Sequence, residues 1–458
     1  MTTADVDERW ATRLHDLAAG EGVPGAALGV WVDGQEVAAA AHGVLNAETG
    51  VRATADSLFQ IGSITKVWTT TMIMQLIDEG RLSLDTTVAE VLPGVRVGPE
   101  DASGEIAIRH LLTHTSGIDG DIFTDTGRGD DCVERYVGEL GLAARIFPPG
   151  AAYSYCNSGF VLLGRIIEVL DGRIWDASLR ERLIKPLGLT RTVTLPEEAI
   201  RHRAATGHRE RPLDDQPVSV WVLPRSVGPA GLITSSVPGV LAFARLHLDG
   251  GVTPDGTRLL SQASVEDMQR QRAEIPGSGD PAAVGLGWRL HRWGGRPIFG
   301  HDGGTIGQTA YLRIDPEARV IACLLTNSPQ SQSLFQRLFS EVFGAYAGVT
   351  VPPSPGPAAG PPIPDLDRHA GRYERASMRY EVSVRDGLLH LVSGPSDDRE
   401  DFSDEGPHEF DLHPADATGD SFVARSDDRQ PWSSVVFGRL GDQAPYMFLG
   451  GRITPRVG

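Results

Sequence analysis

The sequence predicts an α+β first domain followed by a small all-β second domain. Three observations carry this. Helical apolar runs and alternating strand-like runs interleave up to about residue 349. Residues 350–364, TVPPSPGPAAGPPIP, form a Pro-rich linker with little capacity to build a core. Beyond it, residues 365–458 open on DLDRHAGRYERASMRYEVSVRDGLLHLVSG and continue as short alternating strands, which points to a barrel or sandwich. With 458 residues the chain is also longer than one core usually holds.

In chain order, Trp10, Leu14 and Leu17 fall on one face of an N-terminal amphipathic helix. GAALGVWVDGQEVAAAAHGV alternates and turns at Asp33-Gly34, a β-hairpin. KVWTTTMIMQLIDEGRLSLD reads as a long helix, its Met72, Leu76 and Ile77 as core rather than a cofactor site. IAIRHLLTHTSGI is a short helix and a turn, and the acidic, Gly-rich residues 119–131 read as a surface loop. PPGAAYSYCNSGFVLLGRIIEVLDG and GPAGLITSSVPGVLAFARLHLDGG each run from a loop into an apolar helix. Successive strands with turns at Gly294-Gly295 and Asp315-Pro316 follow, and SQSLFQRLFSEVFGAY closes the first domain as a helix.

Composition narrows the function. A formal net charge of -18 argues against nucleic acid and against anionic membrane surfaces as partners. The three cysteines, Cys132, Cys156 and Cys323, are odd in number and lack metal-type spacing, which suits a reducing compartment. The first twenty residues carry early acids and no apolar run, so they do not read as a signal peptide. No apolar stretch is long enough to span a bilayer. The expected location is therefore the cytoplasm.

The chemistry concentrates in three short stretches. In IGSITK, Ser63 precedes Lys66 by one helical turn, so the two side chains can meet. A serine hydroxyl needs a base to become a nucleophile, and burial beside Ile61 and Trp68 would lower the lysine pKa toward that role. A solvated helix start explains the pair equally well when it stands alone. YSYCNSGF adds Tyr155 and Asn157 before an apolar helix. A tyrosine beside a lysine cation can lower its own pKa and share the base role, and Asn157 can hold the lysine and touch a substrate amide. Tyr153, two positions earlier, is read as structural. GHDGGTIG adds His301 beside Gly303 and Gly304, which let a backbone approach a ligand. The Gly304 N–H would be a second oxyanion donor opposite that of Ser63.

Taken in order, Ser63-Ile-Thr-Lys66, Tyr155-Cys-Asn157 and His301-Asp-Gly303-Gly304 resemble the penicillin-recognising serine hydrolases. That group holds class C β-lactamases, DD-peptidases, D-aminopeptidases and related esterases. The resemblance covers roughly residues 8–348. It implies an antiparallel sheet flanked by helices, a helical subdomain, and a site between them. It implies Ser63 as nucleophile, Lys66 and Tyr155 as the general base system, Asn157 as an orienting group, and the Ser63 and Gly304 amides as oxyanion hole. It calls for no metal and no cofactor.

Two positions depart from the β-lactamase pattern. The third motif begins with His301 where lysine is usual, a weaker, pH-dependent cation for a substrate carboxylate. Cys156 stands where serine is frequent and is read as a tolerated small residue. With its C-terminal β domain the architecture is similar to stand-alone penicillin-binding-protein-type thioesterases of nonribosomal peptide synthesis, in which a lipocalin-like domain sits beside the site. That resemblance implies a peptidyl thioester ending in a D-residue, possibly delivered by a peptidyl carrier protein, passed to Ser63 and released as a head-to-tail macrolactam. Arg452, in FLGGRITPRVG, could face the site as part of a lid; a surface arginine on an acidic protein is the plainer account. Two alternatives stay open: a D-stereospecific aminopeptidase or esterase, and a non-catalytic binding protein on the same fold, against which the intact Ser63, Lys66, Tyr155 and Asn157 argue. His110 and His114 lie four apart without a completing carboxylate and are read as structural. The basic run 201–212, RHRAATGHRERP, is read as a solvated loop, with carrier-protein docking as the alternative.

Overall fold

A computed structural model describes residues 3–209, 216–277, 279–280, 282–361, 363–376, 378–395, 408–425 and 431–457. Residues 210–212 of the basic run lie outside these, as do 396–407 and 426–430 of the tail read as all-β.

A nine-stranded sheet, antiparallel throughout, forms the frame of the first part. In it Gly25–Val32 is paired with Gln35–Asn46 on one side and Val320–Thr326 on the other. Gln308–Asp315, Arg296–Thr305 and Arg289–Trp293 continue it outward. Alternation suggests one wet face for Gly25–Val32, yet all but its last residue are buried. The reason is layering: helices cover both faces, as in any doubly covered sheet. On one face, Trp10, Leu14 and Leu17 of Thr3–Glu21 pack with Leu334, Leu338 and Phe343 of Gln332–Tyr346.

The other face receives the helical core, built around Thr65–Asp78. Every residue of that helix from Thr65 to Leu76 is buried, because TKVWTTTMIMQL presents apolar or small side chains on all sides. Asn157–Asp171 and Val237–Leu248 pack against it. A helix so placed carries Lys66 into the middle of the protein, with none of its surface exposed.

Residues 350–361 carry neither helix nor strand. The chain then forms eight antiparallel strands from Gly371–Arg375 to Arg452–Pro455. The sheet nearly closes on itself: Tyr373 bridges Arg456, and the Val457 amide donates to the Arg372 carbonyl at 2.8 Å. This is the expected α+β sheet-and-helix fold with a lipocalin-like barrel attached. The barrel's last hairpin is docked on the first part, where Phe448 and Ile453 share an apolar cluster with Phe147, Tyr153 and Tyr155.

Candidate active site

The 3-10 turn Gly62–Ile64 leads straight into Thr65–Asp78 and sets Ser63 one turn from Lys66. Lys66 Nζ donates to Ser63 Oγ at 2.9 Å and to the Ala230 carbonyl at 2.7 Å. Burial drives the lysine pKa well below its ordinary value, and the nearby guanidinium groups of Arg452 and Arg289 lower it further, against an opposing pull from Asp121. A lysine whose neutral form is favoured, in contact with a serine hydroxyl, is placed to act as a base.

Glycines let two backbone segments meet here. Gly62 has φ 51°, and a Cβ on it would stand 2.7 Å from the Gly304 nitrogen. A Cβ on Gly303 would stand 1.9 Å from the Ile61 carbonyl oxygen and 3.1 Å from the Ser63 nitrogen. The Ser63 and Gly304 amides are thereby brought to one wall of a pocket of about 510 Å³, which also shows Tyr155, Asn157, Arg289 and Arg452.

Tyr155 lies over this pocket with Lys66 Nζ 4.9 Å from its ring centroid. Contrary to the expectation of a lowered phenol pKa, burial raises it; Arg289, the Ser63 hydroxyl and Arg452 offset this only in part. The hydroxyl is buried and makes no well-formed hydrogen bond. Tyr153, read as structural, packs 6.3 Å from Phe448, its phenol pushed up to about 12 by burial. Cys156 caps the helix Asn157–Asp171 by accepting from the Gly159 amide at 3.2 Å. Its thiol is pushed up to about 12 by burial, so it is no second nucleophile.

Asn157 does not hold the lysine. Its Nδ2 donates to Asp121 Oδ1 at 2.8 Å, and the lysine's second bond goes to Ala230 instead. His301 corrects a second expectation. It is buried at the Arg296–Thr305 strand, its Nδ1 2.6 Å from the Asp302 carbonyl oxygen and its ring 6.3 Å from that of Tyr155. Burial, with Arg289 and Lys66 nearby, takes its pKa well below 6.5, so it is a neutral packing group and not a cation for a carboxylate. His114 stacks on Tyr155 at 4.2 Å and accepts from the Cys156 amide, while His110 accepts from the Ala107 amide.

The positive charge of the pocket comes from two arginines. Arg452 is not a surface residue on an acidic protein: its guanidinium sits 4.8 Å over the Tyr155 ring and only 24% of the side chain is exposed. It reaches the site because the Gly450-Gly451 turn of the barrel hairpin lies on the loop that carries Tyr155, with the Tyr155 amide donating to the Gly451 carbonyl at 2.8 Å. Ser154 Oγ accepts from the Ile453 amide at 3.1 Å. Arg289 stands 5.6 Å from the same ring and donates to Asp302 at 3.3 Å. Asp302 also holds Arg313 by two bonds.

The start of the acidic stretch 119–131 is not a surface loop. Asp119, Gly120 and Asp121 are buried, and the exposed portion comes later. Asp121 is buried because it is fully partnered: Arg452 donates twice, at 2.6 and 3.2 Å, and Arg375 of the barrel donates at 2.8 Å. These cations hold its carboxyl down to about 2 despite burial. The Ala376 amide donates to Asp119 at 2.6 Å. In the basic run, His208 is buried too, bonded to the Ala47 amide and the Asn327 carbonyl, while Arg201, His202 and Arg203 are exposed. Sequence reading missed Asp121 and Arg289 as site residues; no local pattern marks either.

The profile of the family described as Beta-lactamase matches residues 8–345. Penicillin-binding protein 4 of Amycolatopsis lactamdurans is 48% identical over 370 residues, which is 80% of this chain and 97% of its own. The crystal structure of SurE superposes with a TM-score of 0.79 at 28% identity and covers 99% of both chains, barrel included. SurE with D-Leu superposes at 0.77 over 99% of this chain and 100% of its own. The D-amino acid amidase of Ochrobactrum anthropi SV3, complexed with D-phenylalanine, is 26% identical with a TM-score of 0.59, over 71% of this chain and 92% of its own.

Proposed function

The chain belongs to the Beta-lactamase family of penicillin-binding-protein-like serine enzymes, and from that premise we propose that it takes a peptidyl thioester with a C-terminal D-residue onto Ser63 and releases it as a macrolactam. One observation carries this reading: the barrel hairpin places Gly451 and Arg452 on Tyr155, beside the Ser63–Lys66 pair. A site roofed in this way can hold an amine and exclude water. Similarity to SurE along both parts of the chain, and the D-Leu in one of its structures, support it.

Neutral Lys66 takes the Ser63 proton as Oγ attacks the thioester carbonyl. The oxyanion rests on the Ser63 and Gly304 amides. Collapse breaks the C–S bond, and the thiolate leaves with the proton passed from Lys66, relayed by the protonated Tyr155. The peptide's own amine then attacks the Ser63 ester and gives its proton to the Lys66–Tyr155 pair, which returns one to Ser63 Oγ. Arg452 and Arg289 orient the substrate from above the Tyr155 ring.

The test is the product mass from a short peptidyl thioester ending in a D-residue, with Ser63→Ala as control. A product one water lighter than the linear acid, absent with the variant, is expected. Linear acid alone replaces cyclisation by hydrolysis, the reading favoured by similarity to the D-amino acid amidase. No acyl-Ser63 at all would overturn the acyl-transfer assignment.

A further inference from the structure

A groove of about 2050 Å³ adjoins the catalytic pocket and shares Phe123, Leu223 and Ile306 with it. One wall comes from the first part, from the residues around Ile122, Ile146 and Trp221. The other comes from the barrel, from Arg372, Glu374, Arg375, Ala376, Pro455 and Val457. Its volume is about twice the upper end of pockets that hold a drug-sized ligand. A single amino-acid amide needs none of it.

Its chemistry is apolar where it is uncommitted. Seven large hydrophobic residues are exposed among the described residues, and three of them, Leu142 at 88%, Val220 at 56% and Val457 at 48%, line this groove. Clustering of that kind marks a binding surface. The charges around it are largely satisfied: Arg128 pairs with Glu197, Arg145 with Glu100 and Glu105, Arg225 with Asp130 and Asp176, and Arg375 with Asp121. An acidic ligand would have to displace those partners.

We propose that this groove seats the peptide chain of the acyl donor, and that it selects chains several residues long with apolar side chains. The proposal rests on the acyl-transfer reading of Ser63. An extended chain leaving the acyl carbon, at about 3.3–3.6 Å per residue, enters the groove past Phe123, Leu223 and Ile306, which line both. From there its side chains meet Leu142 and Val220 on one side and the barrel on the other.

The experiment compares Ser63 acylation by three thioesters: D-leucyl, an octapeptidyl chain of Leu, Val and Phe ending in D-Leu, and the same octapeptide with Asp at alternate positions. The apolar octapeptide is expected to exceed D-leucyl thioester at least tenfold in kcat/KM, about the effect of burying one such side chain. The Asp-bearing chain should lose that advantage. In Val220→Asp and in Leu142→Asp, both changes at exposed positions, the ratio of long to short substrate should fall at least fivefold. Equal acylation at all lengths, or an unchanged ratio in both variants, overturns the groove assignment and leaves the acyl-transfer reading standing. If no thioester acylates Ser63, that reading falls. Fluorescence anisotropy of the labelled linear octapeptide on Ser63→Ala protein then decides the groove: binding weakened tenfold by Val220→Asp supports it, and binding absent or unmoved overturns it.

Discussion

Arg452 grips Asp121 with two donors, Nε at 2.6 Å and Nη2 at 3.2 Å, across 331 residues of chain. The same carboxylate orders Asn157 and receives Arg375, so it joins the barrel to the start of the helix Asn157–Asp171. It also favours the charged form of Lys66. Asp121→Asn should therefore lower the lysine pKa further and move the alkaline-rising limb of Ser63 acylation to lower pH. The pH profile of single-turnover acylation checks this. A drop in rate without a moved limb would leave Asp121 only a structural role.

Acid should undock the barrel. The Asp121 carboxyl is held at about 2, below its ordinary value near 3.9, so its stabilisation is complete above that value. It is lost as pH falls from about 4 toward about 2, and is worth on the order of 2 kcal/mol. Tyr153 fluorescence or hydrogen exchange at residues 119–121 and 450–453 should change in that window, before the main sheet opens. An unchanged interface at pH 2 would contradict this.

The two adjacent glycines should answer oppositely to one methyl group. At Gly303 a Cβ would meet the Ile61 carbonyl at 1.9 Å, whereas at Gly304 nothing lies within 4 Å. Gly303→Ala should reduce acylation about a hundredfold or more by spreading the oxyanion wall, while Gly304→Ala keeps its amide and stays within about threefold of wild type. Equal losses in the two variants would refute the close approach as the cause.

Lys66 and Tyr155 should separate activity from stability. Lys66 is fully buried, and the Tyr155 hydroxyl is buried and makes no well-formed hydrogen bond. Lys66→Met and Tyr155→Phe each remove a polar group whose burial costs stability, so Tm should hold or rise. Acylation should fall about a hundredfold or more in each. Thermal melts beside acylation rates check the pair.

The pairing of Ser63 with Lys66 was legible because one helical turn is a local rule. The Tyr155–Asn157 stretch was legible because it abuts a helix start. The hairpins at Asp33-Gly34 and Gly294-Gly295 were legible from turn chemistry. Asp121 was not, since its partners lie 36, 254 and 331 residues away and no spacing rule reaches them. His301 could be located but its charge could not, because burial, with Arg289 and Lys66 nearby, decides it. Arg452 could be named as a candidate to face the site, but nothing local decided it over a surface arginine: an arginine among glycines gives no sign of the tyrosine it covers.

The hairpin that roofs Tyr155 has a consequence in time. At roughly 5–20 residues per second, a ribosome needs on the order of 15–65 s to pass from Asp121 to Arg452, 331 residues later. Through that interval the nascent protein carries its serine and lysine but lacks the arginine and the backbone carbonyl that finish the site. The last hairpin is thus the last part of the site to be made, so a product cut short in translation would be born with Tyr155 uncovered by Gly451 and Arg452.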